Sequence, residues 1–322
     1  MKVVLGPGSA FEVRPGESLL EAALRQGFDC PRGCRNGNCL VCVAQLRAGR
    51  VRQAGQLVER GEVLCCQAEP LADCRLDWPR ARAPGQWPAV DLRCQVVGCE
   101  PLGADAFRVA LRAPAGRPPR YHAGQSLQLF GPEGRALPFH LASAPAGGRE
   151  LEFLLNGHAG AATSLVDWLA RQREVRVRLP FGPAHLAVLP AAPLLLFAQG
   201  AGIAQALGLL EHCLASDFRH PLQLHWFAAR EADFHRLPRA ADWAAWPALR
   251  VRRWVGDDPD RALAEVFGAD FPVPGELHAC ASGPAAWVQG LRRAWEAAGG
   301  LAHHLRADVP GDAPVGGLPA RS

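Results

Sequence analysis

The chain is short of lysine, short of net charge and without any long apolar run. Of its 35 basic residues only Lys2 is a lysine, which reads as a base-composition bias of the coding sequence. The formal net charge is +4 over 322 residues, and the arginines are scattered rather than striped, so no nucleic-acid partner is expected. No stretch of about eighteen apolar residues occurs, and the N-terminus lacks the basic-then-apolar pattern of a secretory leader. A cytoplasmic protein with no membrane attachment is expected.

A reducing compartment argues against structural disulfides. Yet seven of the eleven cysteines fall between Cys30 and Cys74. A local crowd of thiols in such a protein more often binds metal or does redox work than staples loops.

Three zones divide the chain. In residues 1–78, "MKVVL" and "SAFEVRP" read as short strands. "ESLLEAALRQG" reads as a helix, with Ser18 and Glu21 as a capping box, Leu19, Leu20, Ala23 and Leu24 as its apolar face and Gly27 as its stop. Residues 79–89, rich in Pro, Gly and Ala, read as a linker. From 90 to 190 short alternating strands are separated by Pro and Gly turns and interrupted by one helix, "TSLVDWLA", a pattern that suggests an antiparallel barrel. From 191 to 309 apolar strands alternate with helices, as in a doubly wound parallel α/β domain. Residues 310–322 read as a disordered tail. The fold class is thus multidomain, α+β followed by α/β.

Within "CPRGCRNGNCLVC" (30–42), Cys34, Cys39 and Cys42 stand at C-x4-C-x2-C, and "GEVLCCQAEP" brings Cys66 downstream. This is the plant-type [2Fe–2S] spacing. Iron in two oxidation states calls for soft, anionic sulfur. Gly33 and Gly37 leave room for the loop to wrap closely around a cluster. Zinc sites more usually show C-x2-C pairs, which the four-residue gap fits poorly.

These residues resemble a plant-type ferredoxin domain, of β-grasp fold: Pro31 lies three residues before the first ligand, and "VLCCQAEP" is similar to the family's V-L-x-C-x-A-x-P. The resemblance selects Cys66 over Cys65 or Cys74 as the fourth ligand and leaves Cys30 and Cys65 as small buried residues. A ferredoxin domain followed by a barrel and a doubly wound domain resembles the ferredoxin–NADP reductase family, in particular the single-chain reductases of bacterial oxygenases and the related sugar-deoxygenation (CDP-6-deoxy-glucoseen-type) reductases. That resemblance implies FAD on the barrel and NADH or NADPH on the third zone.

The family's flavin motif, R-x-Y-[ST], is met here by "LPFHLASAP" (137–145). Pro138 and Leu141 keep the frame, and Phe139 keeps a ring for the isoalloxazine. Leu137 replaces the phosphate-binding arginine, and Arg135 is the candidate to restore that charge. His140 replaces the hydroxyl residue beside flavin N5 and offers a ring nitrogen in its place. Gly160, Thr163 and Ser164 in "GAATS" match the Gly-x-x-[ST] helix start that receives a pyrophosphate.

In "LLLFAQGAGIAQALGLLEHCL", Gly200 and Gly202 keep part of the family's G-G-x-G-I-A-P, while Gln199 and Gln205 replace a glycine and the proline. In "ACASGPAAWV", Gly283 and Pro284 match, and Ser282 stands where the family has the cysteine beside the nicotinamide. Arg230 is the candidate for the nucleotide's ribose or its phosphate, and NADH is favoured over NADPH.

The resemblance implies an electron-transfer oxidoreductase. Hydride from NAD(P)H carries two electrons, a [2Fe–2S] cluster accepts one, and a flavin divides the pair. Ser282 and His140 are its catalytic candidates, and a separate redox protein, such as an oxygenase, is its partner. Because the departures fall on cofactor positions, a second reading is a ferredoxin-like carrier on a degenerate reductase scaffold with weak or no flavin binding.

Overall fold

The computed structural model describes residues 1–6, 9–79, 81–103, 106–145, 148–156, 161–237, 243, 246–256, 258–267 and 274–309. The tail expected over 310–322 lies outside them. The chain forms two compact units, Met1–Trp87 and Pro88–Ser322.

The first unit opens with the hairpin of β1 (Lys2–Gly6) and β2 (Ser9–Glu12). Helix α1 (Leu19–Arg25) is started by the Ser18–Glu21 capping box and buries Leu19, Leu20, Ala22 and Ala23. After the cysteine loop come β3 (Val43–Ala48), β4 (Val51–Gln53), β5 (Gln56–Val58), β6 (Gly61–Leu64), β7 (Ala68–Pro70) and β8 (Cys74–Asp77). β8 lies parallel to β1, giving the sheet order β2-β1-β8-β3-β6, while β5-β4-β7 form a second small sheet. The buried face of α1 shares one core with Val3, Phe11, Leu46 and Leu76 of the larger sheet. One helix laid on a mixed sheet in this order is the β-grasp arrangement.

The segment 79–89 is not a free tether along its whole length. Arg82 exchanges backbone hydrogen bonds with Asp29 at 2.8 and 3.0 Å, and Ala81 and Ala83 pack against the core of the first unit. Pairing by main-chain atoms leaves no side-chain pattern to read, so composition alone suggested a linker.

The second unit begins with β9 (Val90–Gly103), β10 (Ala106–Arg112), β11 (Ser126–Phe130), β12 (Ala136–His140), β13 (Glu150–Asn156), helix α2 (Ala161–Ala170) and β14 (Glu174–Phe181). The six strands run in the order β12-β11-β14-β9-β10-β13, every neighbour antiparallel. A bridge between Leu141 and Phe153 joins the two edges and closes the barrel. Closure removes the exposed sheet edges that would otherwise invite aggregation. Inward residues such as Leu111, Leu127, Leu129, Phe153 and Val177 fill its core, and α2 adds Ala162 and Leu169.

The chain continues through β15 (Leu194–Gln199), α3 (Ile203–Ala215), β16 (Leu222–Ala228), β17 (Leu249–Val255), α4 (Pro259–Glu265), β18 (His278–Ser282), α5 (Ala285–Ala297) and β19 (Leu305–Asp308). All five strands are parallel, in the order β17-β16-β15-β18-β19. β15 is buried on both faces. Leu194, Leu196 and Ala198 pack in the core that holds α3, whereas Leu195 and Phe197 pack in the core that holds α4 and α5. The α3 core also takes in Leu102, Ala123, Ala142, Leu154 and Leu186 from the barrel, so barrel and parallel sheet form one body.

Candidate functional site

The cysteine loop lies between α1 and β3. Cys34 and Cys39 face each other, the backbone N–H of each donating to the sulfur of the other at 3.3 and 3.4 Å. Cys42 and Cys66 form the second pair, near enough that the Cys42 thiol raises that of Cys66. A Cβ on Gly33 would stand 2.8 Å from Cys39 Sγ, and Gly37 adopts φ +86° with the amide of Gln67 against it. Both positions therefore demand glycine. The Gln67 amide donates to Asn36 O at 2.9 Å and ties the loop to the turn between β6 and β7 that carries Cys66.

The N–H groups of Asn36 and Cys39, with the Cys39 thiol, bring the Cys34 thiol down to about 7, the thiolate character an iron ligand needs. Burial, reinforced by Cys42, pushes Cys66 up to about 11. Among the described residues no three His, Cys, Asp or Glu side chains form a single-ion site. The thiols stand as two pairs, which suits two bridged irons. Cys30 and Cys65 are buried in the core, and burial raises both thiols, Cys30 to about 12.

The flavin motif lies on β12. Leu127 pairs with Phe139 and Leu129 with Leu137 across β11, which turns Phe139 and Leu137 to the side of the barrel core. Phe139 stacks on Phe153 at 4.8 Å between ring centres and stays half-exposed. Pro138 is half-buried and Leu141 fully buried, while Arg135 is exposed just before the strand. His140 takes the opposite face, 6% exposed. Thr163 and Ser164 lie exposed in the first turn of α2, and Gly160 falls outside the described residues.

The nucleotide motifs lie where the order of the parallel sheet reverses, between β15 and β18, the crevice in which open α/β sheets bind ligands. Gly200 takes φ +55° in the turn that enters α3. Gly202 is buried against the end of β18, and Gly283 is pressed between Trp287 and Gln199. Pro284 caps α5 and is exposed. Ser282 ends β18 with its hydroxyl buried and without a hydrogen-bond partner among the described residues. An orphaned hydroxyl at the carboxyl edge of the sheet suits a polar ligand group such as a nicotinamide amide. Arg230, beyond β16, is exposed, and its guanidinium is held by Asp233 at 2.8 Å.

Residues 3–71 match the 2Fe-2S iron-sulfur cluster binding domain family. Terephthalate 1,2-dioxygenase reductase component 2 of Comamonas sp is 28% identical over 330 residues, 95% of this chain and 96% of that protein. The crystal structure of an Amycolatopsis cytochrome P450 reductase matches with a TM-score of 0.62 at 26% identity, over 96% of this chain and 99% of that one. The aromatic O-demethylase reductase subunit of Amycolatopsis sp. is 30% identical over 282 residues, 82% of this chain and 83% of that protein. The chain belongs to the family of oxygenase reductase components. It is an NAD(P)H-dependent oxidoreductase that passes electrons through FAD to a [2Fe–2S] cluster and on to a separate acceptor.

In this reductase the departures from the family pattern do not read as decay. Gln205 is 1% exposed, and its amide donates to Gly124 O at 2.8 Å and Ala184 O at 3.0 Å, tying α3 to two barrel loops. The same helix seats Gly208 so close to the flavin-motif segment that a Cβ would stand 2.3 Å from Leu141 O. A glycine inside a strongly helical pattern is costly unless something packs on it, and that was the available signal for Gly208. Asp308, which ends β19 beside Ser282, carried no sequence signal. Its partner, His140, is 168 residues away.

Proposed function

We propose that this chain is the NADH-oxidising reductase of a multi-component oxygenase, working in the cytoplasm. Its relatives are named as the reductases of a terephthalate dioxygenase and an aromatic O-demethylase. No helix among the described residues is long and apolar enough to cross a membrane.

The observation that carries this reading is the bond from His140 of the barrel to Asp308 of the parallel sheet, whose strand partner is Ser282. In this assignment Gly200 and Gly202 let the dinucleotide approach the start of α3, whose N–H groups and dipole receive its phosphates. Ser282, Gly283 and Pro284 hold the nicotinamide end. His140 receives the flavin ring, with Phe139 on the barrel side of β12 and Pro138 and Leu141 fixing the strand, and Arg135, Thr163 and Ser164 serve the flavin phosphates. Cys34 with Cys39, and Cys42 with Cys66, hold one iron each. The bound flavin supplies the step from hydride to single electrons; the protein positions and shields.

NADH is favoured because Arg230 is already neutralised. Asp233 would also repel a 2′-phosphate brought to that edge.

The visible spectrum of the purified protein tests the proposal. Flavin and cluster bands that bleach on adding NADH are expected. A brown, flavin-free protein indifferent to NADH overturns it in favour of a simple carrier.

A further inference from the structure

His140 ends β12 and Asp308 ends β19, yet imidazole Nε2 lies 3.3 Å from Asp308 Oδ2. The two side chains are 5% and 12% exposed. The carboxylate is anchored on its other side, where Oδ1 accepts the Val309 N–H at 2.9 Å. Gly182 makes room for it, since a Cβ there would stand 2.7 Å from Oδ2. Around the ring, β11 contributes Ser126 as the pairing partner of His140, and β18 sets Ser282 beside Asp308. Asp308 is the charged group bonded to the ring. Imidazole Nδ1 has no hydrogen-bond partner among the described residues.

A carboxylate oxygen only accepts, so Nε2 must carry the proton of a neutral ring and Nδ1 must carry the lone pair. A serine or threonine hydroxyl at this position rotates and either donates or accepts. An imidazole tethered at Nε2 does not have that choice. We propose that Asp308 is a positioning residue that locks His140 as the Nε2-protonated tautomer, so that the ring presents an acceptor, and not a donor, to the flavin bound against β12. This rests on the placement of His140 at the flavin proposed above. The oxidised flavin ring has a lone pair at N5, and the reduced ring has an N–H there. An acceptor therefore matches the reduced ring, and this chain holds its flavin site biased toward the state that the nicotinamide delivers.

The tautomer is read directly by multiple-bond 1H–15N NMR on the uniformly 15N-labelled full chain, about two pH units above the usual imidazole value. His140→Ser assigns the signals. The Nε2-protonated pattern is expected in the FAD-free wild type. Asp308→Asn, which is isosteric and offers both a donor and an acceptor, is expected to average the two patterns, and Asp308→Glu to restore one. A wild-type ring protonated at Nδ1 overturns the proposal whether or not the variants fold, and so does an Asp308→Asn pattern identical to wild type. Adding FAD and reducing it with NADH is expected to move Nδ1 far more than Nε2. If FAD binds and both nitrogens stay put, His140 is not at the flavin; that result overturns the placement and leaves the tautomer of the FAD-free chain to stand on its own spectrum.

Discussion

Gly202 and Ser282 approach so closely that a Cβ on the glycine would lie 2.0 Å from the serine carbonyl oxygen. The contact sets the start of α3 against the end of β18, the two segments that flank the proposed nicotinamide crevice. Gly202→Ala must push them apart. Because a displacement of about 1 Å at a reacting centre costs on the order of a hundredfold in rate, stopped-flow reduction of the flavin by NADH is expected to slow by about that factor. The cluster spectrum should stay intact. A rate near wild type would show that this edge is not where the nicotinamide sits.

Gln205 is expected to matter for stability rather than for chemistry. Gln205→Ala removes two hydrogen bonds and strands two carbonyl oxygens, at a cost of about 2 kcal/mol. Gln205→Pro restores the residue of the family pattern. It falls in the first turn of α3, where proline is tolerated, so its cost should equal that of the alanine variant and not add the roughly 3 kcal/mol of a mid-helix proline. Denaturant titrations of the second unit, followed by tryptophan fluorescence, separate the two cases.

Much of this was legible in the sequence, and the reasons differ from residue to residue. Cys34, Cys39 and Cys42 are local, so their spacing shows in one line of text. Leu194 to Ala198 form an unbroken apolar run because both faces of β15 are covered, and that too is local. Strand β17, "LRVRRWV", carries no clear strand signal, since it lies at the sheet edge and holds three arginines. β12 shows as a motif but not as a strand, because Pro138 disguises it. The Asp308–His140 and Gln205–Gly124 contacts are set by topology, and no local pattern encodes them.

The choice of fourth ligand separates two adjacent thiols. Cys65 is fully buried and its thiol is raised by that burial, while Cys66 is half-exposed beside Cys42. Cys66→Ser is expected to abolish acid-labile sulfide and the cluster's visible bands. Cys65→Ala should keep both, at a stability cost of about 1 kcal/mol for the lost packing. The reverse pattern would move the cluster to the buried side of the turn between β6 and β7.

His185 stacks on His122 at 4.9 Å with ring planes 9° apart. Burial, and then the neighbouring imidazole, lower it to about 4 from the ordinary 6.5. Between those values the unfolded chain binds a proton that the folded chain refuses, so stability is lost as pH falls through that window and levels off below it. Urea midpoints of the wild type should drop from pH 6.5 to 4, and His185→Gln should flatten the decline. An unchanged slope in the variant would assign the effect to other groups.

In the proposed nucleotide site, coenzyme choice turns on Arg230 and Asp233. The carboxylate holds the guanidinium through both its oxygens, at 2.8 and 3.3 Å, on an exposed edge where solvent weakens such a pair. Asp233→Ser frees the arginine and removes the repulsion. Together these should raise kcat/KM for NADPH about tenfold while leaving NADH within about twofold, since NADH has no group to meet the freed charge. Arg230→Ala in the wild-type background should leave NADH unchanged and lower kcat/KM for NADPH further, because it unpairs the Asp233 carboxylate. Parallel steady-state measurements with both coenzymes decide it: if Asp233→Ser leaves the NADPH to NADH ratio where it was, the 2′-position is read elsewhere on the sheet edge, and Arg230 is only a solvated side chain.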